Sequence, residues 1–460
     1  MRRRTFLKTG VLATGSVLAA APGDRPKSNL VFVNCDQLSY WAVAHGGKHV
    51  QMPNLRRLMA RGVSFPRSYC AQPVCCPSRS SWFTGRMPSE HRVIGNSYPI
   101  RRELPNYGDW FREAGYEVVH VGKWHVPNRR PWDSGFKTTQ MTNRLGEVSD
   151  AAVSRTCRAV LQDLSRETPF FLHVCFMNPH DICYPGMRSG EAQSLPDCVR
   201  NELPPLPPNF AIATPEPEAF VTIQRQHWVY ENTKQWTGDD WRWHRYQYYR
   251  YCEMLDLNLG HLLDSLEMTG HTDDTVVVFT SDHGEGNAHH HLTQKASLYD
   301  EAARVPLIIA GPGLPRGQAR PDALASGIDI FPTLCGLAGI KLPGKLTGLD
   351  LTPAVLGEHA TVRPYVVVEA WPCAPDRGWA IISKRHKLIQ YGNSPTAQLF
   401  DLLTDPWETR NLANKQVGIL ANHRAMLAEF QDRLDMIPLP EQGWPRWLRD
   451  FRKAHPDAKL

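Results

Sequence analysis

The residues with the clearest chemical potential stand together in the stretch Cys75-Cys76-Pro77-Ser78-Arg79. Pro77 suits the first position of a helix, because its missing N–H needs no partner there. A side chain just before a helix start faces unpaired backbone N–H groups and the positive end of the helix dipole. Arg79, one turn further on, can reach back to the same point. The stretch therefore favours a nucleophile that handles an anion, although a disulfide half or a buried small side chain is the alternative for Cys75.

Two continuous apolar runs, Asn29 to Cys35 and Thr275 to Ser281, are typical of strands buried on both faces of a parallel sheet. The polar residues that follow them are Asp36-Gln37 and Asp282-His283. Open α/β sheets bind ligands at the carboxyl ends of such strands. On the residues alone, however, a helix cap or a turn explains Asp36 better than a ligand role does.

Two further strand ends carry candidates. Residues 115–125 read as a strand that breaks at Gly122, and Lys123 and His125 can face the same side of its extended exit because they are two residues apart. The apolar run 169–176 is another buried strand, and it leads to His180. A surface lysine and packed histidines are the alternative interpretation of these residues.

Two motifs in this chain resemble the signatures of the sulfatase family. Residues 75–86 fit C-x-P-S-R-x-x-x-x-T-G-R without a gap, and residues 115–125 fit G-Y-x-x-x-x-x-G-K-W-H. The resemblance continues over nearly all of the chain beyond its N-terminal segment. It implies that a dedicated formylglycine-generating enzyme oxidises Cys75, and not Cys76, to formylglycine (3-oxoalanine).

The resemblance also implies a divalent metal and a set of active-site residues. The implied metal ligands are Asp36, Gln37, Asp282 and His283, with Cys75 as formylglycine. The other implied active-site residues are Arg79, Lys123, His125, His180, His290 and Lys295. Oxygen ligands favour Ca²⁺ or Mg²⁺, and a histidine nitrogen leaves room for Mn²⁺, so we expect Ca²⁺ first.

The chemistry that the resemblance implies is covalent catalysis by the hydrated aldehyde at position 75, one oxygen of which attacks sulfur. The metal and Arg79 would activate that oxygen. Lys123, Lys295 and the metal would hold the sulfate oxygens. His180 or His290 would protonate the leaving alcohol, and both remain candidates. His125 would take the proton from the remaining hydroxyl so that sulfate is expelled.

The function that this resemblance favours is hydrolysis of a sulfate ester outside the cytoplasm, for example on a sulfated glycan. The alternatives within the same superfamily are a phosphonate monoester or phosphodiester hydrolase and a choline-sulfatase-like enzyme, because those enzymes also pair Asp-Gln with Asp-His. A non-catalytic binding protein is disfavoured, because both metal pairs and the basic residues are present.

The N-terminus resembles a twin-arginine export signal, residues 1–21, and predicts use of the twin-arginine export machinery. Three arginines and Lys8 precede an apolar stretch, Val11 to Ala21, that is too short for a membrane span. We therefore expect a periplasmic or secreted protein with no stable membrane insertion. The same basic residues supply +4 of the formal charge of +6, and the remainder near +2 does not predict nucleic-acid binding.

The predicted fold class is α/β, a three-layer α/β/α sandwich around a large, mainly parallel mixed sheet. The predicted domains are a catalytic domain, residues 22–356, and a C-terminal subdomain, residues 357–460. Short alternating runs after residue 357 predict a small antiparallel sheet packed on a helix over 417–434. Cys183 and Cys198 flank a Pro-rich and Gly-rich loop, and an exported protein could join them in a disulfide.

Overall fold

The computed structural model describes residues 28–435 except 97, 143, 185–190, 212–215, 217–219, 221–231, 372–376, 393 and 395. The predicted export signal, residues 1–21, lies outside the described residues. Within the described ranges, none of the helices combines the length and the apolar character that a membrane span requires.

The described strands and helices follow one another along the chain. The strands are β1 (Asn29–Asp36), β2 (Gly62–Ser64), β3 (Ser68–Tyr69), β4 (Glu117–Gly122), β5 (Lys137–Met141), β6 (Phe170–Pro179), β7 (Thr275–Ser281), β8 (Leu307–Ala310), β9 (Gln318–Ala319), β10 (Ala325–Ser326), β11 (Tyr365–Ala370), β12 (Gly378–Ser383), β13 (His386–Tyr391) and β14 (Ala397–Asp401). The α-helices are α1 (Tyr40–His45), α2 (Pro53–Ala60), α3 (Cys75–Thr84), α4 (Pro88–His91), α5 (Tyr107–Glu113), α6 (Gly146–Asp163), α7 (Asp197–Arg200), α8 (Gly238–Met268), α9 (Asp300–Ala303), α10 (Ile330–Ala338), α11 (Thr352–Leu356) and α12 (Val417–Asp432).

The large sheet, counted over the described residues, has eight strands in the order β5-β4-β6-β1-β7-β8-β2-β9. Neighbouring strands from β5 to β7 run parallel, whereas β8 is antiparallel to both β7 and β2. The sheet is therefore mixed and mainly parallel, and its central strands are buried along almost their whole length.

Alternating side chains of β1 show how the sheet is covered on both faces. Val31 and Val33 pack into an apolar core that includes residues of α2, α6 and α8. Leu30 and Phe32 point to the other face and pack with residues of α3, α5 and α10. Each fully buried side chain of this kind contributes about 1.5–3 kcal/mol. The three-layer α/β/α architecture predicted from the sequence is confirmed.

The C-terminal part forms a separate antiparallel sheet in the order β11-β12-β13-β14, which packs against α12. The sequence predicted the last three of these strands and the helix. It missed β11, a fully buried strand with three consecutive valines between Tyr365 and Glu369. The boundary at residues 356 and 357 remains a prediction.

Candidate active site

The candidate site lies where four neighbouring parallel strands, β4, β6, β1 and β7, reach their carboxyl ends. Asp36 is the last residue of β1, and Lys123, His180 and Asp282 directly follow β4, β6 and β7. The parallel sheet thus brings residues that are distant in the chain to one edge. For example, the Ser281 hydroxyl donates to the carbonyl of Cys35, 246 positions away.

Helix α3 brings Cys75 to the same edge. It begins at Cys75, and every one of its side chains is buried. The sequence predicted Pro77 at the first helical position, but in the structure Pro77 is the third helical residue. A proline is tolerated at the third position as well, because the first four N–H groups of a helix have no partner within it. The thiol of Cys75 therefore stands at the positive end of the helix, facing the strand ends.

Four side chains form a cluster that fits a divalent cation. The Sγ of Cys75, carboxylate oxygens of Asp36 and Asp282, and a ring nitrogen of His283 all lie within 4.8 Å of one another. Sγ is 3.2 Å from His283 Nε2 and 3.7 Å from Asp36 Oδ1. His283 Nδ1 donates to the carbonyl of Gly284 over 2.9 Å, so Nε2 can present its lone pair to the cluster. Two carboxylates and one imidazole suit Ca²⁺, Mg²⁺ or Mn²⁺.

Arg79 holds the two carboxylates in place. Its Nε donates to Asp282 Oδ2 over 2.9 Å, and its Nη2 donates to Asp36 Oδ2 over 3.1 Å. The other oxygens of the two carboxylates, both Oδ1, lie 3.7 Å and 3.6 Å from His283 Nε2. Arg79 thus occupies the outer oxygens and leaves the inner ones directed at the cation cluster.

Two lysines add positive charge around position 75. Lys123 Nζ donates to Asp36 Oδ2 over 2.6 Å. Lys295 Nζ lies 3.1 Å from Cys75 Sγ and donates to Gln37 Oε1, also over 3.1 Å. Lys123 was predicted from the second motif and Lys295 from its position after Asp282-His283 in the family pattern, and the structure brings both to the cluster.

Gln37 reaches the cluster through an unusual backbone conformation, with φ at 78°. Its backbone N–H donates to Asp282 Oδ1 over 3.1 Å, and its side-chain Nε2 donates to Glu285 Oε2 over 2.5 Å. These two bonds direct Oε1 towards Lys295. The amide oxygen therefore lies beside the proposed metal ligands, and its role as a ligand remains a prediction.

The charges in the site favour an anion at position 75. Burial and Asp36 disfavour a thiolate, but Lys295, Lys123 and His283 outweigh them and hold the pKa of Cys75 well below its ordinary value. A site that stabilises negative charge there suits a transition state that develops it.

The buried carboxyl groups of Asp36 and Asp282 differ in their pKa values. Burial and the neighbouring charge of Asp36 raise the pKa of Asp282 to about 7. Burial also opposes ionisation of Asp36, but Lys123, His180 and Arg79 hold its pKa well below the usual range. Two buried carboxylates side by side are a charge arrangement that a divalent cation offsets.

His180 and His125 are the two remaining histidines that were predicted to transfer protons. His180 Nε2 is 4.0 Å from Asp36 Oδ1, and burial lowers the pKa of His180 despite that neighbour. His125 is half-buried, with φ at 57°. Among the described residues, neither histidine has a hydrogen-bond partner for its Nδ1. The proton-transfer roles of the two histidines remain predictions.

His290 is placed elsewhere, which corrects its prediction as an active-site residue. Its Nδ1 pairs with Glu301 Oε1 over 2.9 Å, and its Nε2 donates to the carbonyl of Glu408 over 3.1 Å. The ring stacks on Tyr299 with centroids 3.9 Å apart. Both ring nitrogens thus have partners in α9 and in the segment around Glu408. Of the two predicted leaving-group acids only His180 lies beside Asp36, and its role remains a prediction.

The disulfide expected between Cys183 and Cys198 is not formed, because both are free thiols. Cys183 lies against the side chain of Gln37, with its sulfur 3.3 Å from Nε2 and 3.4 Å from Oε1. Cys198 is exposed on α7. A Pro-rich loop between two cysteines was insufficient to predict their pairing.

Sequence reasoning missed two buried polar residues behind the site. Asn34 accepts from Arg79 Nη1 over 3.1 Å, and Glu285 orients Gln37. Asn34 interrupts an otherwise apolar strand, and Glu285 follows the Asp-His-Gly turn. A buried polar side chain needs a partner, so these interruptions were the available signal.

Two family models match this chain. The model described as sulfatase matches residues 28–340, and the model described as N-sulphoglucosamine sulphohydrolase, C-terminal, matches residues 288–435. The chain belongs to the sulfatase family. It is a sulfuric ester hydrolase, and members of this family generally use formylglycine and a divalent metal.

Characterised relatives are similar along most of their length. A Delta 4,5-hexuronate-2-O-sulfatase from Bacteroides thetaiotaomicron is 30% identical, with 91% of this chain and 92% of that protein covered. A choline-sulfatase from Rhizobium meliloti is 29% identical, with 88% and 86% covered.

Solved structures extend this likeness. A 2-O GAG sulfatase has a TM-score of 0.79 and is 29% identical, with 89% of this chain and 92% of that chain covered. A phosphonate monoester hydrolase from Silicibacter pomeroyi has a TM-score of 0.75 and is 25% identical, with 89% and 96% covered.

Proposed function

We propose that this sulfatase removes a sulfate ester from a saccharide by means of a formylglycine made from Cys75. The observation that carries the proposal is the position of the Cys75 side chain. It stands at a helix N-terminus, 3.2 Å from His283 and 3.1 Å from Lys295. When mature, residue 75 would supply a hydroxyl of the hydrated aldehyde as the nucleophile.

The surrounding residues would divide the work of binding and proton transfer. Asp36, Gln37, Asp282 and His283 would hold the divalent cation, and Ca²⁺ is the ion we expect first because most of the donors are oxygens. Such a cation would lower the pKa of the attacking hydroxyl and offset charge on the sulfate group. The ammonium groups of Lys123 and Lys295 would bind the sulfate oxygens. His180 would give a proton to the leaving oxygen, and His125 would remove one from residue 75 when sulfate departs.

A saccharide substrate is supported by the relatives. The Bacteroides thetaiotaomicron enzyme acts, by its name, on a 2-O-sulfated unsaturated hexuronate, and the structural neighbour is a 2-O GAG sulfatase. Both align with this chain along more than four-fifths of its length. We infer a sulfated uronate-containing saccharide as the first substrate class to test.

A phosphonate monoester is the second candidate. The pairing of Asp36-Gln37 with Asp282-His283 resembles that of phosphonate monoester hydrolases, and one such enzyme is among the structural neighbours. The choline-sulfatase relative makes choline sulfate a third compound for comparison.

We also propose how the enzyme matures and where it acts. A formylglycine-generating enzyme would oxidise Cys75, and the twin-arginine machinery would export the folded protein to the periplasm or beyond. The basic segment before Val11 supports export. A glycan substrate outside the cytoplasm is consistent with that destination.

The proposal is tested with protein co-produced with a formylglycine-generating enzyme, with the modified fraction measured by mass spectrometry. The panel contains an unsaturated 2-O-sulfated uronate disaccharide, an aryl sulfate, choline sulfate and a phosphonate monoester. We expect the highest kcat/KM on the disaccharide. Faster turnover of the phosphonate monoester or of choline sulfate by modified enzyme would contradict the saccharide assignment.

A further inference from the structure

A row of buried polar side chains lies beneath Arg79 in an otherwise apolar layer. Asn34, His173 and His120 come from the neighbouring strands β1, β6 and β4, and each is at most 3% exposed. Phe32, Tyr107 and other apolar groups surround them. Polar groups in such a layer destabilise the fold unless they are hydrogen-bonded, so their arrangement requires an explanation.

The three side chains form one continuous chain of hydrogen bonds. Arg79 Nη1 lies 3.1 Å from Asn34 Oδ1, and Asn34 Nδ2 lies 2.8 Å from His173 Nε2. The Nδ1 atoms of His173 and His120 are 3.2 Å apart. His120 Nε2 lies 3.2 Å from the carbonyl oxygen of Gly122. The chain therefore runs from the active-site arginine to the residue that precedes Lys123.

The donor and the acceptor of every hydrogen bond in the chain follow from the groups at its two ends, the Arg79 guanidinium and the Gly122 carbonyl. A guanidinium only donates, so Asn34 Oδ1 accepts from Arg79 and Nδ2 donates to His173. A carbonyl only accepts, so His120 carries its proton on Nε2 and accepts on Nδ1. His173 then carries its proton on Nδ1 and donates to His120. One neutral tautomer of each histidine satisfies all four bonds, and burial lowers the pKa of His173 well below its ordinary value and that of His120 to about 3.

We propose that Asn34, His173 and His120 are positioning residues, which align the Arg79 guanidinium with the Gly122–Lys123 backbone for sulfate-ester hydrolysis. Arg79 Nη1 also lies 3.4 Å from the carbonyl oxygen of Lys123, so the chain closes on the same backbone segment. Arg79 holds both metal-site carboxylates, and Lys123 holds one of them. A shift of these three buried side chains would therefore move Arg79, the two carboxylates that it holds, and Lys123 together. The inference rests on the proposed function of these groups.

A second metal site is the competing explanation. His120, His173 and Cys175 offer ligand atoms within 4.8 Å of one another, and Cys175 Sγ is 3.1 Å from His173 Nε2. The four ring nitrogens, however, already have hydrogen-bond partners, and Arg79 places a positive charge at the end of the chain. The described geometry thus favours a hydrogen-bonded positioning role over a cation site.

The first test replaces Asn34 with leucine, which keeps the side-chain size and removes both hydrogen bonds. We expect Asn34→Leu to lower kcat, per formylglycine-containing enzyme, by about 10–100-fold, the typical loss for residues that orient active-site groups. The KM should change less than threefold. Phe32→Leu is the matched control, because Phe32 stacks on His173 in the same layer without a hydrogen bond to it. It should lower the thermal midpoint but keep kcat.

The second test asks whether a hydrogen-bond acceptor at position 173 is sufficient to keep kcat. His173→Gln can place its amide oxygen near the position of Nε2 and still accept from Asn34, whereas His173→Leu cannot. We expect the glutamine variant to keep kcat within about threefold and the leucine variant to match Asn34→Leu. The double variant Asn34→Leu/His173→Leu should be no slower than either single variant, because the residues act as one unit.

A readout without turnover separates this inference from the proposed function. Spectra of the full-length protein with ¹⁵N-labelled histidine should show a proton on Nε2 of His120 and on Nδ1 of His173, with His120→Gln and His173→Gln for assignment. The signals of His120 and His173 should not change on addition of Zn²⁺. Reversed tautomers, direct Zn²⁺ coordination, or an active wild-type enzyme whose kcat survives Asn34→Leu would overturn the positioning role. A wild type that is inactive would contradict the proposed substrate. The hydrogen-bond chain would still be supported if that protein shows the expected tautomers and if Asn34→Leu changes the His173 signal.

Discussion

At the scale of single residues, the site concentrates positive charge around one side chain. Lys123 is buried beside Asp36 and Lys295 is half-buried beside Cys75, and burial alone would lower their pKa values. The anionic neighbours outweigh burial, so the pKa of each lysine is raised and both stay protonated. Fixed ammonium groups in a site of low dielectric constant stabilise sulfate charge without reorganisation.

Lys295→Met tests this electrostatic role. We expect kcat/KM for the sulfated disaccharide to fall by about 100–1000-fold, the range typical of losing one group that binds a developing anion. Lys137→Met is the control, because Lys137 is exposed at the amino end of β5 and pairs with Glu117 at the amino end of β4, away from the carboxyl ends that carry the site. Steady-state kinetics on fully modified protein provide the comparison. A loss below threefold for Lys295→Met would contradict the role.

His290 provides a pH-dependent prediction of stability. Burial opposes a charged ring, but Glu301 and Glu408 favour it and raise the pKa of His290 to about 9 from 6.5. The folded protein therefore binds more protons than the unfolded chain between these values. Its contribution is complete below pH 6.5 and is lost as the pH rises through 9, a change of up to about 3 kcal/mol in the free energy of unfolding.

Denaturant unfolding between pH 7 and 9.5 measures this change. Burial raises the pKa of Glu408 to about 7, so this group titrates in the lower part of the range, and the slopes are compared above about pH 8. We expect the free energy of unfolding to fall with pH in the wild type and to fall less in His290→Gln. Equal slopes would show that the His290 ion pair does not contribute.

At the scale of elements, the carboxyl ends of parallel strands decide which residues meet. Lys123 is placed by a sharp break at Gly122, where φ is 107°. A Cβ added there would lie 2.0 Å from the carbonyl oxygen of Cys175 on β6. A glycine at this position lets β4 end in contact with β6 and send Lys123 towards Asp36.

Gly122→Ala should therefore impair both folding and catalysis. Backbone strain of this kind costs about 1–3 kcal/mol, and the clash with β6 adds to it. Gly313→Ala is the matched control, because Gly313 has φ of 73° but open space around the added Cβ. Denaturant unfolding should show a larger loss for Gly122→Ala, and its kcat should fall while that of Gly313→Ala stays. Equal losses in the two variants would contradict the steric argument.

The sequence predicted the elements whose signals are local. Continuous apolar runs located β1, β6 and β7, and the motifs located α3 and Lys123. His290 was misplaced because counting along the chain cannot show that its backbone, with φ of 49°, turns the ring towards Glu408. Asn34 was overlooked because its partners, His173 and Arg79, are distant in sequence and meet only across the sheet.

At the scale of the whole molecule, a buried ion network joins the C-terminal sheet to the catalytic body. Lys387 on β13 is fully buried, and its Nζ lies 2.8 Å from Asp300 Oδ1 and 2.8 Å from Glu408 Oε1. Asp300 belongs to α9, five residues after Lys295. The C-terminal sheet thereby supports the segment that places Lys295 beside Cys75.

Lys387→Met should destabilise the whole protein, because it leaves the buried carboxyl group of Glu408 without its cation and that of Asp300 with Arg304 alone. Breaking a buried ion pair costs about 3–5 kcal/mol. Lys384→Met is the control, since Lys384 pairs with Asp322 at the exposed surface, where a pair contributes about 0–1 kcal/mol. Differential scanning calorimetry should separate the two variants clearly. A wild-type melting temperature for Lys387→Met would contradict the joining role of the network.

The central claim is that Cys75, matured to formylglycine, performs the hydrolysis. Its neighbour Cys76 provides the control, because Cys76 is equally buried but bonds to Asn96 outside the cation cluster. The most direct measurement is sulfate release from the 2-O-sulfated uronate disaccharide by wild type, Cys75→Ala and Cys76→Ala, each co-produced with a formylglycine-generating enzyme. We expect release by wild type and Cys76→Ala and none above background by Cys75→Ala. Undiminished release by Cys75→Ala would contradict the account.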